Sequence, residues 1–512
     1  MNQPRTLGWR ILRWGLVGLA VLVTLAAILV TEENWRGKRA WENYKRAADA
    51  RGERLDTASV IPPQVPDDQN FFCAPIVANT LEWDRIKDSI TNERDVEKLN
   101  DRIDFNIYRG DSKLWPTNGG NWRKGRLIDL AEWQHYFWNY NATPEGKTNG
   151  FKLPSQPGAP AADVLLALSQ YDHQVEGLRA AASRPFARMP LNYEDGFESA
   201  SILLPCLANT KRIGQFLQLR ISAELEDNQP DKALDDIKLF LRVTDSISNS
   251  RFLISHLVRL AMLSIVLEPV YQGLTEHRWS DAQLAELERL LAGENLLVDY
   301  VSAMNGEKIC AIDAFEKQQL TRQFKTMDNS SGTNQIVTVN LRWTPSAFFY
   351  QTELACAEMY DQFVLPLVNL TNRTISPSQL RHNETMMKDK MTSFSPYKTQ
   401  ALMLFPAVSK SVIKFAVIQT DLDLARVAGA LERFRLAHGD YPESLDQLTP
   451  QFIAQLPHDI INGQPLQYHR AADNKYVLYS VGWNEVDDGG QVAFRKGGFT
   501  VSSENGDWVW KN

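Results

Sequence analysis

The sequence predicts a mainly α-helical protein with a C-terminal α+β domain, carried on a single N-terminal transmembrane helix. Three observations predict it. Residues 14–31 hold no charged side chain. Apolar residues recur at helical spacing through the middle of the chain. Strand-forming residues gather between turn signals after Gly439.

The anchor comes first. Its run of Leu, Val, Ala, Ile and Gly is long enough to cross a bilayer core as a helix. Arg5, Arg10 and Arg13 precede it, and Trp9 and Trp14 stand where an interfacial aromatic belt would be. The run ends Ala-Ile-Leu-Val-Thr-Glu-Glu, a poor site for signal cleavage, so an uncleaved anchor over residues 9–31 is expected, with membrane contact through residues 14–31. Arg36, Lys38, Arg39, Lys45 and Arg46 lie beyond it, so the charge rule alone does not orient the span. A second apolar run at residues 252–271 carries His256, Arg259 and Glu268. Ionised groups are expensive at mid-bilayer, and a buried core helix is expected there.

Residues 32–60 read as a charged helical stalk, broken by Pro62, Pro63 and Pro66. Residues 61–160 are turn-rich and aromatic, with Trp115, Trp122, Trp133, Tyr136, Phe137, Trp138 and Tyr140 crowded together. A tryptophan-rich core is the expectation; the alternative is a ligand- or glycan-stacking groove over residues 115–140.

A helical body is expected over residues 161–400. Ile213, Phe216, Leu217, Ile221 and Leu225 form one stripe. Asp227-Asn228-Gln229-Pro230 interrupts it, and Ala233, Leu234, Ile237, Phe240 and Leu241 form the next. Ser280 with Gln283 reads as a capping box. The polar stretch at residues 328–334 reads as a loop, and residues 401–437 as one long helix with Phe415, Ile418, Leu422, Ala425 and Ala428 on one face. Gly439 and Pro442 end that helix, Asn462-Gly463 is a hairpin-type turn, and Leu466, Tyr468, Tyr476, Leu478 and Tyr479 supply a small antiparallel sheet.

The net charge of -7 argues against a nucleic-acid partner, which wants a basic surface. The four cysteines, Cys73, Cys206, Cys310 and Cys356, form no CxxC pair. Buried small hydrophobes are expected, and an oxidising compartment would allow disulfides in three pairings. No glycine-rich phosphate loop, nucleophile elbow or paired-histidine motif occurs.

Residues 411–512 resemble the C-terminal region of the major pseudopilin of type II secretion. The blocks are Thr420-Asp421-Leu422, Leu431-Glu432-Arg433-Phe434-Arg435, His438-Gly439-Asp440-Tyr441-Pro442, Leu456-Pro457-His458-Asp459, Asn462-Gly463-Gln464-Pro465-Leu466-Gln467-Tyr468, Tyr476-Val477-Leu478-Tyr479-Ser480-Val481-Gly482 and Asp487-Asp488-Gly489-Gly490. The whole chain is similar to membrane-anchored bacterial proteins with a helical middle and this ending, a similarity that implies no activity. The resemblance implies one helix on a small sheet over residues 401–512 and an extracytoplasmic, periplasmic body. It also implies a calcium loop, with Asn484, Asp487, Asp488 and Asp507 as candidate ligands. The alternative for these residues is an acidic turn satisfied by water and backbone. The chain departs from pseudopilins in lacking the peptidase site and in separating its anchor from this domain, so neither pilin processing nor polymerisation is implied. A non-enzymatic envelope scaffold with a protein partner is the resulting expectation. The aromatic-groove binder and a hydrolase whose site converges only in three dimensions are the alternatives.

Overall fold

The computed structural model describes residues 7–86, 101–117, 119–191, 200–328, 335–392, 397–471, 474–496 and 500–511. It is mainly helical (64%), with a small antiparallel sheet region near the C-terminus and a long apolar N-terminal helix. In chain order the principal elements are α1 (Leu7–Ala50), α2 (Leu130–Ala142), α3 (Ala200–Glu226), α4 (Pro230–Asp245), α5 (Leu253–Thr275), α6 (Asp281–Ala292) and α7 (Leu296–Thr321). They continue with β1 (Gln323–Asp328), β2 (Gln335–Asn340), α8 (Ser346–Met359), α9 (Thr399–Ser409) and α10 (Ser411–His438). The chain closes with β3 (Gln467–Ala471), β4 (Lys475–Ser480), β5 (Val492–Phe494), β6 (Val501–Gly506) and β7 (Trp508–Lys511). The loop expected at residues 328–334 lies, from 329 on, outside the described residues.

The chain divides into two compact units assembled from separated stretches. Unit 1 takes residues 1–60, 307–364 and 382–409; unit 2 takes 61–306, 365–381 and 410–512. Among the described residues, three helical stretches are long and apolar enough to cross a membrane: Trp9–Ala50, Leu253–Thr275 and Thr399–His438, the last running through both α9 and α10. The most apolar stretch of the first has none of its residues buried, whereas in the other two 56% are buried inside the protein.

In unit 1, α1 continues past the apolar run without a break. The expected stalk is not free-standing, because one face of it is small or aromatic and packs. Gly37 lies where an added Cβ would come within 3.3 Å of the Ala347 Cα, so α1 and α8 meet closely. The Asn34 side-chain oxygen accepts from the Ala347 amide at 2.7 Å, and Gln351 donates to Glu33 at 3.1 Å. Trp41 is buried with Ile312 and Ala357, flanked by Tyr44, Leu55, Tyr350 and Leu354. Farther along, buried Lys308 donates to Asp361 at 2.8 Å and to Glu53 at 3.3 Å, while the Tyr44 hydroxyl donates to Asp361 at 2.7 Å. These pairings run α8 parallel to α1 and the second half of α7 antiparallel to both.

In unit 2 the two predicted stripes are buried on α3 and α4. Asn228 takes a left-handed turn (φ 54) and Pro230 opens α4. Both bonds of the Ser280–Gln283 capping box form at the start of α6. Helix α5, the expected core helix, packs on α3 and α10. The sheet has strand order β3-β4-β7, all antiparallel, with Tyr468 opposite Leu478 and Leu478 opposite Trp510. It packs on α10, which ends at left-handed Gly439 (φ 87). The single helix expected over residues 401–437 is instead two, α9 and α10, separated at Lys410. Pro406 lies within α9 and has no N–H to continue the hydrogen-bond ladder, which weakens this stretch. By the division above, α9 belongs to unit 1 and α10 to unit 2.

Candidate functional site

A cavity of about 270 Å³ opens in unit 2, walled by α5, α10, β5, β6, β7 and a short turn at residues 121–124. The turn is built by backbone. Asn121 and Arg126 exchange N–H···O bonds of 2.7 and 3.1 Å, and left-handed Gly125 closes the loop. This fixes Trp122, whose ring lies 4.8 Å from that of Trp510 and 6.1 Å from Tyr271. Arg123 folds back over the Trp122 ring at 4.6 Å and pairs with Asp421 of α10.

Two carboxyl groups flank the turn. The Trp122 amide donates to both oxygens of Glu268, at 3.2 and 3.0 Å. Burial pushes the Glu268 carboxyl up to about 7, against the opposing pull of that amide and of Arg123. Asp421 is 1% exposed. Burial pushes it up to about 6, opposed by the Arg123 guanidinium. Ser264, Arg495, Ser502 and Trp508 are among the other polar residues of the lining. The Trp508 indole N–H is buried and has no hydrogen-bond partner among the described residues. The cavity therefore offers cationic, neutral-donor and carboxyl groups over a short span, a chemistry suited to holding a small polar molecule.

Asp507 lies at the wall of this cavity and also organises the candidate calcium loop. Its carboxylate accepts from the Asp488 amide at 3.2 Å and the Gly490 amide at 2.7 Å. Asn484 donates to the Asp488 carboxylate at 2.9 Å, and Asp487 accepts from the Gly489 amide at 2.9 Å and from Tyr479 at 3.0 Å. The four sequence candidates thus lie on one loop and the adjoining strand, their side chains bonded to loop backbone, to Tyr479 or to one another. Among the described residues, no group of three or more His, Cys, Asp or Glu is placed to hold a metal ion.

The chain matches no family model, no curated protein and no solved structure.

The aromatic region is largely core. Trp122, Trp133, Tyr136, Phe137 and Tyr140 are buried, Trp138 is half-buried, and Trp115 is 36% exposed. Tyr136 and Phe137 pack on Phe151 at 6.1 and 4.4 Å, so no exposed aromatic strip forms. All four cysteines are free thiols. Of the ionisable groups in the apolar α5, Arg259 pairs with Asp245, Glu294 and Asp299, and His256 lies buried beside Asp299 at 3.8 Å. Arg123, Ser264, Asp421 and Arg495 were not among the sequence candidates. The one signal available was a carboxylate on an otherwise apolar helix face, at Glu268 and again at Asp421.

Proposed function

We propose that this chain is a single-pass membrane protein whose body serves as a non-enzymatic scaffold on the outer side of the cytoplasmic membrane of a bacterium. The observation that carries this reading is α1, whose exposed apolar stretch runs without a break into a helix packed within unit 1. The extracytoplasmic placement rests on the resemblance of residues 411–512 to the pseudopilin C-terminal region. The packing of α10 on the β3-β4-β7 sheet supports that resemblance. Protease added to intact spheroplasts tests the topology: digestion of the body is expected, and protection until lysis reverses it. Crosslinking in native membranes, followed by purification of the full chain, tests the scaffold role. A reproducible protein adduct is expected, and a chain recovered free of adducts sinks the role.

The cavity favours a second reading, a small polar ligand held between Arg123, Arg495 and the Trp508 indole N–H. Native mass spectrometry of the purified chain would show such a ligand as a discrete added mass that Arg495→Ala removes.

A further inference from the structure

We infer that the end of unit 1 from which the apolar part of α1 emerges is itself seated in the lipid headgroup layer, with Trp343 and Leu320 entering the bilayer surface. This rests on the reading that α1 spans a membrane.

The geometry of the three packed helices sets the level. Helix α8 runs parallel to α1, and its first residues lie beside Asn34 and Gly37. The chain entering α8, residues 341–345, is therefore at the end of the unit nearest the span. Helix α7 runs the other way and brings its C-terminus to the same end. The Leu341 amide donates to the Arg322 carbonyl at 2.8 Å. The Arg322 guanidinium donates to the Thr344 carbonyl at 2.7 Å and the Ser346 hydroxyl at 2.8 Å. Leu320 and Trp343 are thus carried by one hydrogen-bonded platform.

The charge-free run ends at Thr31, and Asn34 follows three residues on, about 4.5 Å along the axis at the usual helical rise. Each headgroup layer is roughly 5–8 Å deep, half the difference between the whole bilayer and its hydrocarbon core. A platform level with Asn34 therefore lies inside that layer.

The surface chemistry fits a lipid interface. Trp343 is 92% exposed and Leu320 is 82% exposed, the two most exposed large apolar side chains among the described residues. Exposure of that kind in water is unfavourable, whereas tryptophan is enriched at membrane interfaces. Trp35 is exposed on α1 close to the same level, with the Arg39 guanidinium 5.2 Å over its ring. Exposed Arg39 and Arg342 add cationic groups that suit anionic headgroups, while Arg36 and Lys38 pair with Glu33 and Glu42. Unit 1 would then meet the bilayer through α1, the end of α7 and the segment after β2, which fixes its orientation where a lone helix would leave it free to swivel.

The test is photocrosslinking of the full chain in native membranes, with benzoylphenylalanine placed singly at Leu25, Leu320, Trp343 and Ala50. Ala50 is exposed on α1, nineteen residues beyond Thr31, or about 28 Å at the helical rise. Lipid adducts at Leu25, Leu320 and Trp343, with none at Ala50, are the expected result. Adducts at Leu25 without adducts at Leu320 and Trp343 overturn the inference and leave the anchor standing. No adduct at Leu25 overturns the anchor reading and the inference with it. Equal adducts at all four positions show unspecific labelling of the whole unit and also overturn it.

Discussion

Removing Arg123 should damage the protein more at neutral than at acid pH, and more than removing its partner Asp421. Asp421 is buried on α10, and its carboxyl is raised by burial to about 6 even with the Arg123 guanidinium beside it. Unfolded, it would titrate near 3.8. Because its folded pKa is raised, the native state binds the proton more tightly than the unfolded chain, and stability falls as pH rises from about 4 to 6. A difference of about 2 pKa units corresponds to roughly 3 kcal/mol. Arg123→Met strips the compensating charge, so the folded pKa climbs further and the fall extends to higher pH. At pH 7 the wild type already carries the cost of a carboxyl raised to about 6, and the variant can always take up a proton, so the further climb adds at most about 1.4 kcal/mol; with the lost Trp122 stacking the total is about 2 kcal/mol. Near pH 5 the carboxyl is already largely protonated in the native state. There only the stacking of the guanidinium on Trp122 is lost, about 0.5–1 kcal/mol.

Asp421→Asn should behave differently. The Arg123 side chain is 24% exposed and keeps access to water in the cavity, so its charge is not stranded. A loss of about 1 kcal/mol is expected near pH 4, and because the fall with pH goes with the carboxyl, the variant should match or exceed the wild type at pH 7. Unit 2 holds about 370 residues, and its unfolding entropy converts about 2 kcal/mol into a midpoint lower by about 3 °C. The assay is thermal melting of the detergent-solubilised full chain at several pH values, with hydrogen exchange of α10 to localise the effect. Equal losses for Arg123→Met at pH 5 and pH 7, or an Asp421→Asn variant as unstable as Arg123→Met, would refute the reasoning.

Three further outcomes are expected. Glu353 on α8 is fully buried with neither carboxyl oxygen hydrogen-bonded, and burial with nearby Glu316 pushes it up to about 8, opposed by Lys45. Its folded pKa is raised, so wild-type stability falls as pH rises towards 8; Glu353→Gln should remove roughly 3 kcal/mol of that fall between about pH 5 and pH 8, and parallel melting curves for the two chains would argue against it. Gly482 has φ +68 and sits where a Cβ would fall 2.4 Å from the Gly506 carbonyl oxygen, so Gly482→Ala should lose about 1–3 kcal/mol by denaturant titration. The calcium loop predicts that about 1 mM calcium, against a site of 0.1–1 mM affinity, stabilises the full chain by about 0.4–1.4 kcal/mol. Asp487→Ala should abolish that rise in melting midpoint, and no rise over chelator in either chain disposes of the site.

Features written in short stretches of sequence were legible. The stripes at residues 213–225 and 233–241, the Ser280–Gln283 box and the stop at Gly439 each depend on neighbours within one or two turns. The small antiparallel sheet around Tyr468 could be read from its strand-forming residues, though its register could not. What local pattern does not carry is long-range pairing. The Tyr44–Asp361 bond joins residues 317 apart, and the Arg123–Asp421 pair joins residues 298 apart. Neither the packing of α1, α7 and α8 nor the cavity could be assembled from periodicity. The break at Lys410 did have a signal, Pro406, but the apolar residues on both sides of it gave one continuous helical pattern.

The same pairing explains why two of the three membrane-length helices read as core. Helix α5 carries His256, Arg259 and Glu268, and α10 carries Asp421, Asp423 and Glu432. In a bilayer each would need a partner or a proton, at several kcal/mol if it found neither. Here other segments of unit 2 supply the partners. Arg259 meets three carboxylates, Glu268 meets the Trp122 amide, Asp421 meets Arg123, and Glu432 meets Arg435 and His277. The apolar stretch of α1 is the converse case. It offers no ionised group to pair, and its Thr24 and Thr31 hydroxyls donate to the carbonyls of Ala20 and Ala27 four residues back. Both hydroxyls of residues 14–31 are thereby satisfied within the helix itself, which is the condition a hydrocarbon solvent imposes and a protein core does not.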